Sequence, residues 1–345
     1  MRIVIVTDAW FPQPNGVVRV LHALSETLKT RGHGVLVVSP DLFINVPCPT
    51  YPEIRLALFA GKRVIGMLEE FAPEAIHIAT EGPLGQVARK ICLTRGWPFS
   101  TAYHTKFPEY IHARTRLPLR WLYRRMRVFH APSRAVMAPA PCIFRELRNK
   151  NFDNVKLWSH GVNTETFHPR DKNHLFGKYA LRRPVHLYVG RVTIEKNLPL
   201  FLDLDLPGSK VVVGSGPMRD ALIKRYPDVH FHTAENDREL SLCYASGDVF
   251  VFPSRTDTFG LVMLEALATG VPVAALPVTG PLDVLGMDGP GETEVGCLDD
   301  DLAKAAAIAL NKSPKACREY AKRFSWEVVC DQFLDFLTPI ERDAA

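Results

Sequence analysis

The sequence predicts an α/β protein of two doubly wound domains, on three observations. Short β-branched runs alternate with helical patterns, the signature of βαβ units around a parallel sheet. The alternation pauses once, in the polar stretch Asn163–Arg170 with Pro169, and then begins again. The length, 345 residues, suits two domains of about 150 residues each. In such sheets ligands bind beyond the carboxyl ends of the strands, and two domains facing each other make a cleft of the kind that holds ligands.

The first cycle opens with the run Ile3–Val6, a helical stretch from about Val17 to Thr30 and a second run at Val35–Ser39. Runs at Ile54–Phe59, Ala75–Ile78, Ser100–Tyr103, Val128–Ala131 and Lys156–Trp158 predict further strands, with helices between most of them, as at Leu84–Thr94 and Ala135–Arg148. The second cycle has strands at His186–Val189, Lys210–Val213, His230–His232, Val249–Phe252 and Pro272–Ala275. Its helices fall at about Met218–Arg225, Glu239–Ala245 and Leu261–Ala268, and the tail is helical at Leu302–Asn311, Pro314–Arg323 and Glu327–Leu337.

With 47% hydrophobic and 23% charged residues, the chain is neither disordered nor collagen-like. No apolar run approaches the ~18 residues of a membrane span. The apolar start Met1–Val6 ends at Asp8, short of the ~7–15 residues of a signal-peptide core, so none is expected. Seven cysteines without a C-x-x-C pair fit reduced, mostly buried thiols of a cytosolic protein better than a zinc or disulfide framework. Charge is uneven: residues 1–170 hold 23 Lys+Arg against 12 Asp+Glu, a net of +11, and the remainder is net −6. Much of the excess lies in Arg114, Arg116, Arg120, Arg124, Arg125 and Arg127, interleaved with Leu117, Leu119, Trp121, Leu122, Tyr123 and Met126. That mixture describes an interfacial helix on an anionic membrane, with Arg120, Trp121, Arg124 and Arg125 as its contacts. It also fits a nucleic-acid patch or a solvated helix face.

Four segments could handle phosphate. Gly16, after the first strand and at the start of a helix, allows close backbone approach, though an ordinary turn reads the same way. In Gly190-Arg191-Val192-Thr193-Ile194-Glu195-Lys196-Asn197 a strand ends in glycine and two cations follow; a guanidinium grips a diphosphate with two hydrogen bonds and an ammonium adds a point charge. Gly214-Ser215-Gly216-Pro217 is a G-x-G turn with Arg219 where the NAD fingerprint needs glycine, so it borders a nucleotide without being that fingerprint. In Ser254–Ala266, Phe259 and Gly260 lead into a helix whose N–H groups, with that of Leu261, can point at a phosphate. Asp257 precedes this helix and Glu265 lies on it; a carboxylate is the natural acceptor for two adjacent sugar hydroxyls. An N-cap for Asp257 and a surface position for Glu265 are the structural alternatives. Asp203-Leu204-Asp205 superficially looks like a metal-binding pair but alternates with apolar residues, and no His/Cys cluster points to a metal.

Taken together, these motifs resemble the retaining family-four glycosyltransferases, which use a nucleotide-sugar donor and the two-domain GT-B fold. The resemblance also rests on Thr101–Thr105 with His104, His160-Gly161-Val162-Asn163 with Phe167 and Pro169, and Phe324-Ser325-Trp326. It implies two Rossmann-like domains: residues 1–165 facing acceptor and membrane, residues 166–325 binding the nucleotide sugar through Gly214, Gly216, Phe259, Gly260 and Leu261 among others, and residues 326–345 as a helix crossing back to the first domain. It implies that Arg191 and Lys196 neutralise the donor diphosphate, Glu265 binds the ribose, Asp257 and His104 contact the sugar, and Gly16 admits phosphate and acceptor. The family pattern is E-x7-E, and Asp257 is one methylene shorter than its first acid.

The Thr256-Asp257-Thr258-Phe259-Gly260 version is similar to that of bacterial enzymes that glycosylate diacylglycerol or other lipids. A UDP-sugar donor, no required cofactor or metal, a lipid acceptor and peripheral attachment to the inner face of the cytoplasmic membrane follow as expectations. An acidic sugar would want a further cation, for which Lys106 or Arg255 would serve. The competing readings are the same chemistry on a soluble acceptor, another sugar-phosphate enzyme, and a non-catalytic binding protein.

Overall fold

The computed structural model describes residues 1–13, 16–48, 51–255 and 259–341; Asp257 lies outside them. The chain forms two units, one of residues 1–160 with 326–345 and one of residues 161–325.

The first unit alternates β1 (Arg2–Val6), α1 (Gly16–Thr30), β2 (Gly34–Val38), the hairpin β3 (Asn45–Cys48) and β4 (Tyr51–Ala57), α2 (Gly61–Phe71), β5 (Ala75–Ile78), α3 (Pro83–Arg95), β6 (Ser100–Ala102), α4 (Phe107–Thr115), α5 (Leu119–His130), β7 (Val136–Ala138), α6 (Pro141–Asn149) and β8 (Val155–Leu157). Its parallel sheet has the order β2-β1-β5-β6-β7-β8. The central strands β1 and β5 are mostly apolar because helices cover both faces. Val4, Val6, Ile76 and Ile78 belong to one core, Ile3, Ile5 and Ala79 to the other. Order reverses between β1 and β5, so the loops after those strands flank the switch point where doubly wound sheets bind ligands.

The second unit comprises β9 (Val185–Val189), α7 (Leu198–Leu202), β10 (Ser209–Val213), α8 (Arg219–Arg225), β11 (His230–His232), α9 (Asp237–Ala245), β12 (Val249–Phe252), α10 (Leu261–Ala268), β13 (Val273–Ala275), α11 (Thr279–Leu285), β14 (Gly291–Glu292), β15 (Gly296–Leu298), α12 (Leu302–Ala309) and α13 (Pro314–Lys322). The order β11-β10-β9-β12-β13-β15-β14 puts its switch point between β9 and β12. The chain enters and leaves this unit side by side: the Val162 N–H donates to the Phe324 carbonyl at 2.7 Å, and Val162 bridges Ser325 in parallel. Asn163 then closes a turn, its Oδ1 accepting from the Glu165 and Thr166 amides. The last helix, α14 (Trp326–Asp335), returns to the first unit. There Val329, Cys330 and Phe333 pack with Trp158 and α1, and the Trp158 indole donates to the Val329 carbonyl at 3.0 Å. Burying Val329 and Phe333 stabilises by about 1.5–3 kcal/mol each.

Three sequence expectations change. Val128–Ala131, read as a strand, is the end of helix α5. Its β-branched residue Val128 faces solvent while Phe129 and His130 are buried, a helical and not an alternating pattern. The strand falls later, at Val136–Ala138, inside a stretch read as helix; Pro141 in the first turn then starts α6. Ile54–Phe59 belongs to an antiparallel hairpin outside the parallel sheet. The arginine-rich segment is two helices, parted by Arg116 in the left-handed conformation (φ 57°) and by Pro118.

Candidate active site

Three loops of the second unit meet at the carboxyl ends of the adjacent strands β10, β9 and β12. The loop after β9 starts at Gly190, whose N–H donates to the Val213 carbonyl at 3.0 Å. Val192 then donates to the Ser215 carbonyl at 2.9 Å and accepts from Met218 at 3.1 Å, tying this loop to the Gly214–Pro217 turn. On the other side, Asn197 Nδ2 donates to the Pro253 carbonyl and Ser254 Oγ to the Glu195 carbonyl, each at 3.4 Å. The Lys196 ammonium lies 6.0 Å from the centre of the Phe252 ring. The segments 190–197, 214–217 and 253–254, far apart in sequence, are therefore neighbours at the switch point.

Gly214 is glycine because of this convergence. A Cβ there would stand 2.0 Å from the Gly190 carbonyl oxygen, and one at Gly216 would stand 2.4 Å from that of Val192. A side chain there fits only if one of the two backbones moves.

The charged residues differ in exposure. The Arg191 side chain is 74% exposed and pairs with Glu195 at 3.4 Å, a surface contact worth little that a stronger anion can displace. Glu265, on α10, is buried, and its Oε2 accepts a 2.7 Å hydrogen bond from the Tyr244 hydroxyl. It is not the exposed helix residue of the structural alternative. Gly260 precedes α10 in the left-handed conformation (φ 85°), and among the described residues no side chain caps this helix start. Phe259 is buried, so its side chain serves the core, and Leu261 is half-buried. Asp203 is exposed and accepts from the Tyr226 hydroxyl at 2.6 Å, and Asp205 is exposed too, as expected for solvated acids.

In the first unit, His104 follows β6. Its Nε2 is enclosed without a hydrogen-bond partner, and its ring stacks on His160 at 6.1 Å between centroids. Burial, with the neighbouring His160 and His77 imidazoles adding to it, holds His104 well below the ordinary imidazole range. It is thus neutral and a weak base. Gly16 opens α1 with open space around it, beside residues 14–15, which lie outside the described set. A hollow of about 400 Å³ lined by Trp10, Phe11, Gln13, Pro40, Asn45 and Arg55, among others, lies close by in sequence.

Sequence reasoning missed Asp8. Buried beyond β1, it accepts from Thr80 Oγ1 at 2.8 Å and from the Leu84 and Gly85 amides at 2.9 and 3.3 Å. Burial raises its pKa against those hydrogen bonds. The start of α3 is thereby filled by the protein's own carboxylate, locking the two loops of the switch point together. Lys106 is committed to Glu146 at 2.6 Å.

On α5, Trp121 and Val128, each 60% exposed, line a shallow hollow of about 350 Å³ with Arg124 and Arg125. Arg120 is exposed nearby. The opposite face is anchored: the buried Tyr123 hydroxyl contacts Glu109 at 2.6 Å and Glu146 at 2.7 Å. Among the described residues no helix is long and apolar enough to cross a membrane.

Two family models match, Glycosyltransferase Family 4 over residues 14–166 and Glycosyl transferases group 1 over residues 171–324. The chain is 31% identical over 320 residues to the sulfoquinovosyl transferase SQD2 of Arabidopsis thaliana, covering 85% of this chain and 61% of that protein. It is 28% identical to a GDP-mannose-dependent alpha-mannosyltransferase of Mycobacterium tuberculosis, covering 97% and 95% of the two chains. It is 25% identical to the alpha-monoglucosyldiacylglycerol synthase of Acholeplasma laidlawii, covering 79% of each. Among solved structures, sucrose-phosphate synthase from Thermosynechococcus elongatus superposes with a TM-score of 0.74 at 20% identity over 97% of both chains, a likeness of fold.

Proposed function

Because the chain belongs to the family-four-like GT-B glycosyltransferases, which use nucleotide-sugar donors, we propose that it moves a hexosyl or hexuronosyl unit from a UDP-sugar to a membrane lipid such as diacylglycerol, with retention and without a catalytic metal. As the anomeric bond breaks, its electron pair passes to the oxygen of the leaving diphosphate. Fixed positive groups aimed at that developing charge lower the barrier. Arg191, Lys196 and the amides at Gly260 and Leu261 are those groups, in place of a divalent ion. The acceptor hydroxyl attacks on the face the diphosphate leaves, and its proton goes to the departing phosphate. Glu265, oriented by Tyr244, takes the ribose hydroxyls; Gly214 and Gly216 border the nucleotide. Asp257 and His104 contact the sugar, and the depressed basicity of His104 suits a hydrogen-bonding role over that of a general base. Gly16 admits the phosphate and the acceptor.

The observation that carries this reading is the meeting of segments 190–197, 214–217 and 253–254 at one switch point, where a diphosphate would find both cations. The lipid acceptor is supported by α5, whose Trp121, Val128, Arg124 and Arg125 share a face suited to an anionic membrane. This face would hold the protein peripherally at the cytoplasmic membrane. The diacylglycerol synthase among the relatives adds to it. The mannosyltransferase relative, matched over nearly its whole length, favours a second reading: a GDP-sugar donor on the same scaffold.

The test is incubation with UDP- and GDP-sugars, offered diacylglycerol in anionic vesicles or soluble sugars, in buffer without added magnesium or manganese. Mass spectrometry of the lipid fraction and the anomeric coupling of the product report the outcome. A glycosylated diacylglycerol of unchanged anomeric configuration is expected. Transfer only to water-soluble acceptors overturns the lipid assignment, and a strict need for added magnesium or manganese overturns the mechanism.

A further inference from the structure

Three side chains from separate stretches of the second unit converge at the edge strand β11. They are His174, in the irregular segment before β9, His232, the last residue of β11, and Cys243, on α9. One donor atom of each lies within 4.8 Å of the others. Cys243 is fully buried, and the His232 and His174 side chains are 12% and 22% exposed. The wide sequence separation explains why no ligand spacing announces the group.

Hydrogen-bond accounting shows what the cluster lacks. The Tyr179 hydroxyl has one proton and donates it to the Phe231 carbonyl at 3.1 Å. At its 3.2 Å contact with His232 Nδ1, the ring nitrogen is therefore the donor. A neutral imidazole with its proton on Nδ1 presents a lone pair at Nε2. That lone pair faces a carboxylate oxygen, Glu239 Oε1, at 3.1 Å. A cation between them reconciles the pair, either the second proton of an imidazolium or a metal ion. The second imidazole deepens the deficit: His174 Nε2 is buried, has no hydrogen-bond partner, and lies 3.7 Å from the same oxygen. Lys178, 2.7 Å from Glu239 Oε1, is the neighbouring fixed cation. The other carboxylate oxygen is used by the Glu235 amide at 2.9 Å.

We propose that this unit binds one divalent cation of the zinc class through His174, His232 and Cys243, with water in the fourth position beside Glu239. Two imidazoles and a thiolate form a zinc donor set. On binding, the thiol gives its proton to solvent. Tyr179 holds the outer nitrogen of His232, the usual arrangement behind a metal-bound imidazole.

The ion is structural. It ties the segment around His174 to the sheet edge and to α9. The His232 carbonyl also accepts the Gly214 N–H at 2.9 Å, so the ligand residue itself supports the turn beside the β9 loop. The inference is independent of which sugar or acceptor the enzyme uses.

The experiment takes the full chain, stripped with a chelator and freed of it, and titrates it with Zn²⁺ by calorimetry and with Co²⁺ by absorption. One ion per chain is expected, with a thiolate-to-cobalt charge-transfer band and the intense visible bands of a tetrahedral site. At a hundredfold excess over Kd the melting midpoint should rise by about 5–10 °C. His174→Gln, at a partly exposed position, should weaken binding at least about tenfold, and Cys243→Ser should abolish the charge-transfer band. If Cys243→Ser does not fold, His174→Gln decides alone. No binding tighter than millimolar, or binding that ignores His174→Gln, overturns the proposal. So does a cobalt spectrum without sulfur character. Each of these results leaves glycosyl transfer as proposed.

Discussion

Acid should weaken the first unit through His77, and the size of the effect can be worked out. His77 is fully buried between β1 and β6, its Nδ1 2.9 Å from the Ser100 hydroxyl and its ring against Phe333 at 5.1 Å. Burial lowers its pKa to about 3 from an ordinary 6.5. Because the folded value is depressed, its contribution is complete above pH 6.5 and is lost as the pH falls towards 3: the unfolded chain takes up a proton that the folded chain refuses. Between pH 7 and pH 5 the loss is about 2 kcal/mol. His77→Gln keeps a hydrogen-bonding group for Ser100 and removes the titration, so the variant should lose about 2 kcal/mol less than the parent over that interval. All five tryptophans (Trp10, Trp97, Trp121, Trp158 and Trp326) belong to this unit, so urea unfolding followed by tryptophan fluorescence reports on it selectively. Equal pH dependence in parent and variant would refute the argument.

Four further outcomes are expected. Arg191→Ala and Lys196→Ala should each lower kcat by about 10²–10³, the effect of removing one preorganised charge-stabilising donor, with the second unit still folded by near-ultraviolet circular dichroism. Glu265→Gln should raise the donor KM about 10–100-fold, the range of a hydrogen bond to a charged group, while Tyr244→Phe should have a smaller effect in the same direction. Gly214→Ala should destabilise by about 1–3 kcal/mol, since the new methyl meets the Gly190 carbonyl, measurable as a lower thermal midpoint. Arg124→Glu with Arg125→Glu should weaken sedimentation with anionic vesicles at least about thirtyfold, from about 1 kcal/mol for each arginine lost, with no change on neutral vesicles.

Much of the fold was legible because the governing signals are local. The run Val249–Phe252 and the pattern Leu261–Ala268 stand in the structure at the same residues, since a buried strand and a buried helix each repeat their own period. Where two periods overlap, legibility fails. Val128-Phe129-His130-Ala131 looks strand-like in isolation, and only the preceding amphipathic turns reveal a helix. Val136–Ala138 was hidden because alanine and methionine suit a helix and three residues carry little periodicity. The glycine turns at the strand ends could be read because close backbone approach demands glycine. The Asp8 lock on α3 and the His174–His232–Cys243 group could not, since each depends on residues brought together only by the completed sheet.

The unit that contains the amino terminus also needs the last helix of the chain. During synthesis, residues 161–325 emerge whole and can close around their own sheet, while the first 160 residues still lack α14 over α1 and Trp158. The later-made unit is thus the first that can finish folding, and the earlier one waits with an apolar seat exposed until α14 has been made. A chain cut before Trp326 should keep an intact carboxyl-terminal half and send its amino-terminal half to chaperones or aggregates.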